Sequence, residues 1–193
     1  MTKSEYRKLL LHIVYDLNTH YSNEYPKNCG YRWADGSYSF DCWNLNKTIW
    51  WGWTDGFSMG SYLHAPGKNG IGDWTGSEIM KHCDEVSSDF KKIPELDGLY
   101  MPDNGGHYGT FIGLETWEGY SFNVVECTPQ TDYFLGGVLL SYVDENGYRY
   151  NHKGGARAGK WTMHGTTSWI TDDIIVYQKI YEDKNIILGK VDK

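Results

Sequence analysis

No apolar run in this sequence approaches the roughly 18 residues that a bilayer-crossing helix needs, which argues against a helical membrane span. Of 193 residues, 40% are hydrophobic and 22% charged. Clustered Lys and Arg are also lacking, and 18 basic against 25 acidic residues leave a formal charge of −7. Neither nucleic acid, whose phosphates must be met by grouped cations, nor a membrane is expected as a partner. No CxxC pair occurs among Cys29, Cys42, Cys83 and Cys127, so the spacing of a structural zinc site is missing. The opening stretch MTKSEYRKLLLHIVYDLNTHY breaks its apolar patch with charges and is followed by no small-residue cleavage site. It reads as an amphipathic helix, not a secretion signal, and thiols are expected over disulfides. With no internal repeat and no low-complexity linker, the chain reads as one domain over 1–193, with 170–193 open to being a C-terminal extension.

What is plentiful is aromatic: 16% of the chain, with nine Trp and sixteen Tyr. Rings packed in a β-rich core account for most of this, and exposed rings that hold saccharide or peptide are the alternative. From Ser4, read as an N-cap, apolar residues Leu9, Leu10, Ile13, Val14 and Leu17 recur at helical spacing. Residues 23–39, rich in Gly, Asn, Tyr and Ser, read as a loop. Asp41 to Trp51 reads as a helix ending near Gly52, with Cys42 at its start. Residues 54–76 are Gly-rich and irregular, and Ser77 to Cys83 has the signals of a short helix. Beyond Asp97 the runs DGLYMP, HYGTFIGL, SFNVVECT and GGVLLSYV read as strands separated by turn residues, and the last 22 residues as a further strand or two. Helices first and an antiparallel sheet after them make an α+β plan.

Cys42 is the residue around which chemistry can be built. A helix start favours an anion, one way a thiol pKa is drawn from about 8.5 into the range of roughly 3.5 to 7.5. A thiol nucleophile needs a base, and the base an orienting partner. His107, after two glycines and at the head of a strand, is the candidate base. Glu126, an acid inside an otherwise apolar strand, is the candidate partner, because a charge there is costly unless paired. Taken singly, Cys42 reads first as a small buried residue, His107 equally as a turn residue or a base, and Glu126 alternatively as a solvent-facing strand residue. Cys127 falls on the opposite strand face from Glu126, as a core thiol. His164, followed by Gly and flanked by Trp, reads as the rim of a cleft. His12, His20, His64, His82 and His152 read as structural or solvated.

Three segments, YRWADGSYSFDCWN, GGHYGTFIG and NVVECTP, together resemble the NlpC-type cysteine peptidases, papain-like wall hydrolases to which the CHAP amidases are related. The likeness covers about residues 25–130, and the stretches around 70–101 and 161–170 add a resemblance to phage endolysins. It implies a papain-like NlpC-type fold with N-terminal helices packed on an antiparallel sheet. The implied activity is cysteine-dependent cleavage of an amide in the peptide of bacterial peptidoglycan, by a stem-peptide endopeptidase or an N-acetylmuramoyl-L-alanine amidase. Cys42, His107 and Glu126 are then catalytic, the Cys42 backbone N–H and Tyr31 supply oxyanion donors with Asp41 in support, and Trp43, Trp74 and His164 contact substrate. Trp43 stands where the family has a small residue, and Glu126 where many NlpC-type enzymes have His, which moves the pattern toward CHAP. No metal or cofactor is implied, since Asp35 and Asp41 do not follow a calcium loop. A monomer made in a host cytoplasm and acting on the wall after release is expected. A papain-like acyltransferase and a non-catalytic wall-binding module are the competing readings.

Overall fold

The computed structural model describes residues 1–55 and 70–171. Helix α1 spans Lys3–Asp16. Its N-cap is Thr2, not Ser4: the Glu5 N–H donates to Thr2 Oγ1 at 3.2 Å, and the Thr2 N–H donates back to Glu5 Oε2 at 2.8 Å. This reciprocal box satisfies two N–H groups that a helix start leaves open, so Ser4 falls inside the first turn. Strand β1 (Thr19–Tyr21) follows, then β2 (Cys29–Arg32) and β3 (Tyr38–Phe40). The stretch expected as a loop over 23–39 thus holds one short strand and the start of another, in a three-stranded sheet of order β1-β3-β2.

Helix α2 (Cys42–Trp50) begins where the sequence places it. The cap is Asp41, whose Oδ1 accepts the Asn44 N–H at 2.7 Å. Helix α3 covers Gly76–Lys81 and stops at His82, so Cys83, expected to close the helix, instead opens strand β4 (Cys83–Ser87). The remaining strands are β5 (Gly98–Met101), β6 (His107–Trp117), β7 (Tyr120–Thr128), β8 (Gly137–Val143), β9 (Tyr148–Tyr150), β10 (Arg157–Lys160) and β11 (Met163–Thr167). Strands β4 to β11 form one antiparallel sheet of order β10-β9-β8-β7-β6-β5-β11-β4. The architecture is α+β. The loop expected over 54–76 and the strands expected after Asp172 lie wholly or largely outside the described residues. Among the described residues no helix is long and apolar enough to cross a membrane.

Both helices pack on the middle of the large sheet, α1 against β7 and β8 and α2 against β6 and β7. Leu10 and Ile13 of α1 and Leu45, Ile49 and Trp50 of α2 close over Tyr108, Ile112, Val125 and Cys127. On the opposite face Phe90, Leu99, Met101, Val124, Val143 and Trp161 make a second cluster. Strand alternation therefore divides β7: Val125 and Cys127 face the helices, while Val124 and Glu126 face Trp161. Buried polar groups fix α2 in place. Asn46 Oδ1 accepts hydrogen bonds from the Tyr6 hydroxyl of α1 and from Thr110 Oγ1 of β6, the latter at 2.7 Å, and Asn46 Nδ2 donates to the Cys42 carbonyl at 3.3 Å. The start of α2 is thereby held against β6.

Candidate active site

Asp41 and Cys42 sit together where α2 begins, both buried. Asp41 Oδ2 accepts from Asn28 Nδ2 at 2.8 Å and Asn44 Nδ2 at 2.6 Å, so the carboxylate ties the 23–39 segment to the helix as well as capping it. Hydrogen bonds from the backbones of Tyr108, Trp43 and Cys42 itself favour the thiolate. Burial opposes them and is the larger effect, and the neighbouring Asp41 charge adds to it, so the thiol is pushed up to about 12. Desolvation thus outweighs the helix-start field on which the expectation of an acidic thiol rested. A helix-terminal field is a local property, whereas desolvation depends on what the fold places over the sulfur.

The Tyr108 contact brings the thiol to the first residues of β6, where His107 is next along the chain. Gly105 and Gly106, at φ 90° and 93°, make the turn that delivers the strand there, a region other residues rarely enter. His107 Nε2 is bonded to Glu126 Oε2, and Nδ1 has no partner among the described residues. Register explains the pairing: Gly109 lies opposite Glu126 across β6 and β7, and His107 is two residues away on the same face. The imidazole is stacked on Trp161, with ring centres 5.3 Å apart and planes at 21°, and its side chain is 14% exposed. Among the described residues no hydrogen bond joins Cys42 to His107; such contacts commonly tighten only when substrate is bound.

Glu126 is fully buried, and its charge is balanced by a residue that sequence reasoning missed. Arg149 on β9 donates from Nε to Oε1 at 2.9 Å and places Nη2 2.6 Å from Oε2 as an ion pair without hydrogen-bond alignment. The guanidinium lies 4.3 Å from the ring centre of Phe134 and 5.9 Å from that of Trp161. Burial alone would raise the Glu126 pKa, but the Arg149 charge and the His107 hydrogen bond outweigh it and hold the carboxyl at about 2. The result is a buried chain, Arg149 to Glu126 to His107, that ends in an imidazole with one free nitrogen beside the start of α2. One signal was legible: a buried acid requires a cation, and Arg149 stands alone between two tyrosines on a short strand.

The other expected site residues are dispersed. Tyr31 is half-buried on β2, edge-on to Trp33 at 5.0 Å, with no hydrogen bond from its hydroxyl among the described residues. The phenol that responds to the thiol is Tyr21 of β1: burial and then the Cys42 and Asp41 charges raise its pKa to about 12. Trp43 packs beside Tyr100 over Gly76 and Gly106, next to the turn that precedes His107. Trp74 is stacked on His82 at 3.8 Å and tilted against Trp169. His164, expected at a cleft rim, is buried in β11 between β4 and β5, where Nδ1 meets Asp97 Oδ2 at 2.7 Å and Nε2 meets the Asp89 carbonyl at 3.1 Å. Its role is to satisfy Asp97. His164→Gln is expected to cost about 1–3 kcal/mol in denaturant unfolding while leaving the turnover of the folded protein unchanged.

The four cysteines are free thiols. Among the described residues no three His, Cys, Asp or Glu side chains are grouped as metal ligands. With its pKa near 12 and its side chain buried, Cys42 is expected to react with iodoacetamide more slowly than a free thiol at pH 6 to 8, and to accelerate only well above pH 9. Rapid labelling at pH 6, mapped to Cys42 by peptide mass, would contradict this. No family model, curated protein or solved structure matches the chain.

Proposed function

We propose that the protein is a cysteine-dependent peptidoglycan hydrolase of the papain-like NlpC type, cutting an amide bond in the wall peptide, as a phage or prophage endolysin does. The observation that carries this reading is the buried Arg149, Glu126 and His107 chain at the start of a strand whose next residue, Tyr108, hydrogen-bonds the Cys42 thiol through its backbone. A buried ion pair is weak as a stabilising device, and a hydrophobic replacement of similar volume often does as well. Orientation of an imidazole is a task it performs well. A purely wall-binding module has no use for such a chain.

Because the resting thiol is protonated, His107 acts as a general base during attack instead of sitting in a preformed ion pair with a thiolate. Substrate brings the sulfur and Nδ1 within reach. The Cys42 sulfur bonds to the amide carbonyl carbon as its proton passes to Nδ1, and the carbonyl electron pair moves onto oxygen. The Cys42 backbone N–H at the helix start meets that oxyanion, and Tyr21, whose pKa the Cys42 charge raises, is the candidate second donor. Collapse of the adduct breaks the C–N bond, and the amine leaves with the proton from His107. Water then attacks the thioester with His107 again as base, releasing the carboxylic acid and the free thiol. Glu126 stays ionised throughout, fixing the ring tautomer through Nε2 and stabilising the imidazolium.

Incubation with purified peptidoglycan, read by mass spectrometry of the soluble fragments, tests the reading. New ends within the stem peptide identify an endopeptidase, and peptides freed from muramic acid identify an amidase. Intact walls across several wall chemistries would contradict it.

A further inference from the structure

A cleft of about 600 Å³ opens beside β1 and the β2–β3 turn, lined by His20, Tyr21, Trp33, Asp35, Ser37 and Ser39, among others. Tyr21 joins it to the candidate active site, since it lines the cleft and lies in register opposite Phe40, two residues before Cys42. The walls are fixed. The Trp33 indole N–H donates to Ser39 Oγ at 2.8 Å, and Ser39 Oγ donates to the Lys27 carbonyl at 2.6 Å. That holds in place a ring that is 37% exposed. Asp35 Oδ1 accepts the Ser37 N–H at 3.0 Å and the Ser37 hydroxyl at 2.6 Å, and His20 Nε2 completes the row at 3.0 Å from Ser37 Oγ. These hydrogen bonds draw the Asp35 pKa below the usual carboxylate range, so the group is ionised at neutral pH. Its second oxygen, Oδ2, has no partner among the described residues.

An oriented carboxylate with one free oxygen, next to a fixed indole face, recognises a cation. Trp33 already accepts one: the Lys27 ammonium lies over the ring, 5.7 Å from its centre, and is itself paired with Glu24 at 2.9 Å. Apart from His20, no titratable cation lines the cleft to compete for Asp35. We propose that this cleft is the subsite that selects an ammonium-bearing residue of the peptide substrate, with Asp35 as counter-charge and Trp33 as wall. The proposal rests on the reading that Cys42 acts on the wall peptide. Two ammonium groups exist in such a peptide, the side chain of a third-position diamino acid and the amine at a free N-terminus.

Binding to the Cys42→Ala protein, by calorimetry, separates the possibilities with three synthetic probes: the stem tetrapeptide L-Ala-γ-D-Glu-L-Lys-D-Ala, its Nα-acetyl form and its Nε-acetyl form. One acetylation is expected to weaken binding about tenfold or more, and which one names the source of the ammonium. Adding Asp35→Asn, which keeps the acceptor for Ser37 and so the turn, is expected to erase that difference. In the wild-type background Asp35→Asn should raise KM about tenfold and change kcat by less than about twofold. Equal binding of all three peptides, or no binding of any, overturns the subsite. Because binding is read without catalysis, that outcome is separate from the functional reading, which is tested by cleavage of peptidoglycan.

Discussion

His107→Ala is expected to lower the turnover of peptidoglycan cleavage by about 10³-fold or more while shifting the unfolding midpoint only slightly. The two halves of this expectation come from different features of the same residue. As the group that carries a proton from thiol to leaving amine and then from water, the ring has no substitute in the site. As a structural element it stands at the first position of β6, partly exposed, and its loss leaves Glu126 still paired with Arg149. Turnover on a defined stem peptide and a denaturation curve on the same preparation check both halves. A large loss of stability would assign His107 to the fold, and a loss of activity under tenfold would remove it from the proton path.

Arg149→Met is the substitution with the largest expected effect on stability, about 3–5 kcal/mol, because it leaves the Glu126 carboxylate buried and unbalanced. Glu126→Gln combined with Arg149→Met should recover much of that loss, since the double variant buries no net charge. Neither variant should retain wild-type turnover, because an uncharged or protonated partner no longer stabilises the His107 imidazolium. The same ion pair sets a pH dependence. Glu126 has its pKa lowered on folding from 4.5 to about 2, so its contribution is fully present above about pH 4.5 and is lost as pH falls toward 2. At about 1.4 kcal/mol for each pH unit between those values, the loss is on the order of 3 kcal/mol. Acid unfolding curves for wild type and Glu126→Gln should differ in slope over that interval. Parallel curves, or an Arg149→Met variant within about 1 kcal/mol of wild type, would show that the pair does not bear the charge balance assigned to it.

Much of the architecture was legible because its signals are local. The helix expected from Asp41 with Cys42 at its start runs Cys42–Trp50 with Asp41 as its cap, and the four strand runs from Asp97 onward each match a strand of the large sheet to within a residue or so at the start, though β6 runs on past its run to Trp117. Thr2 with Glu5 three residues later is equally readable as a capping box, and it is this pair, not Ser4, that starts α1. Strands of three or four residues such as β2 and β3 give no periodicity to read, and they are held by pairing with each other and with β1. Strand β11 depends on partners far away in the chain, at 83–87 and 98–100, so nothing near His164 revealed that its ring would be buried against Asp97. In the candidate site, residue types announced Cys42, His107 and Glu126, whereas Arg149, Tyr21 and the desolvation of the thiol are products of the assembled fold.

The direct measurement of the central claim is digestion of purified peptidoglycan by wild type and by Cys42→Ala in parallel, with fragments identified by mass and both proteins shown to be folded. New peptide ends are expected from the wild type, and none above background from the variant. Equal fragment release from both proteins would place the chemistry elsewhere in the molecule and contradict a nucleophilic role for Cys42.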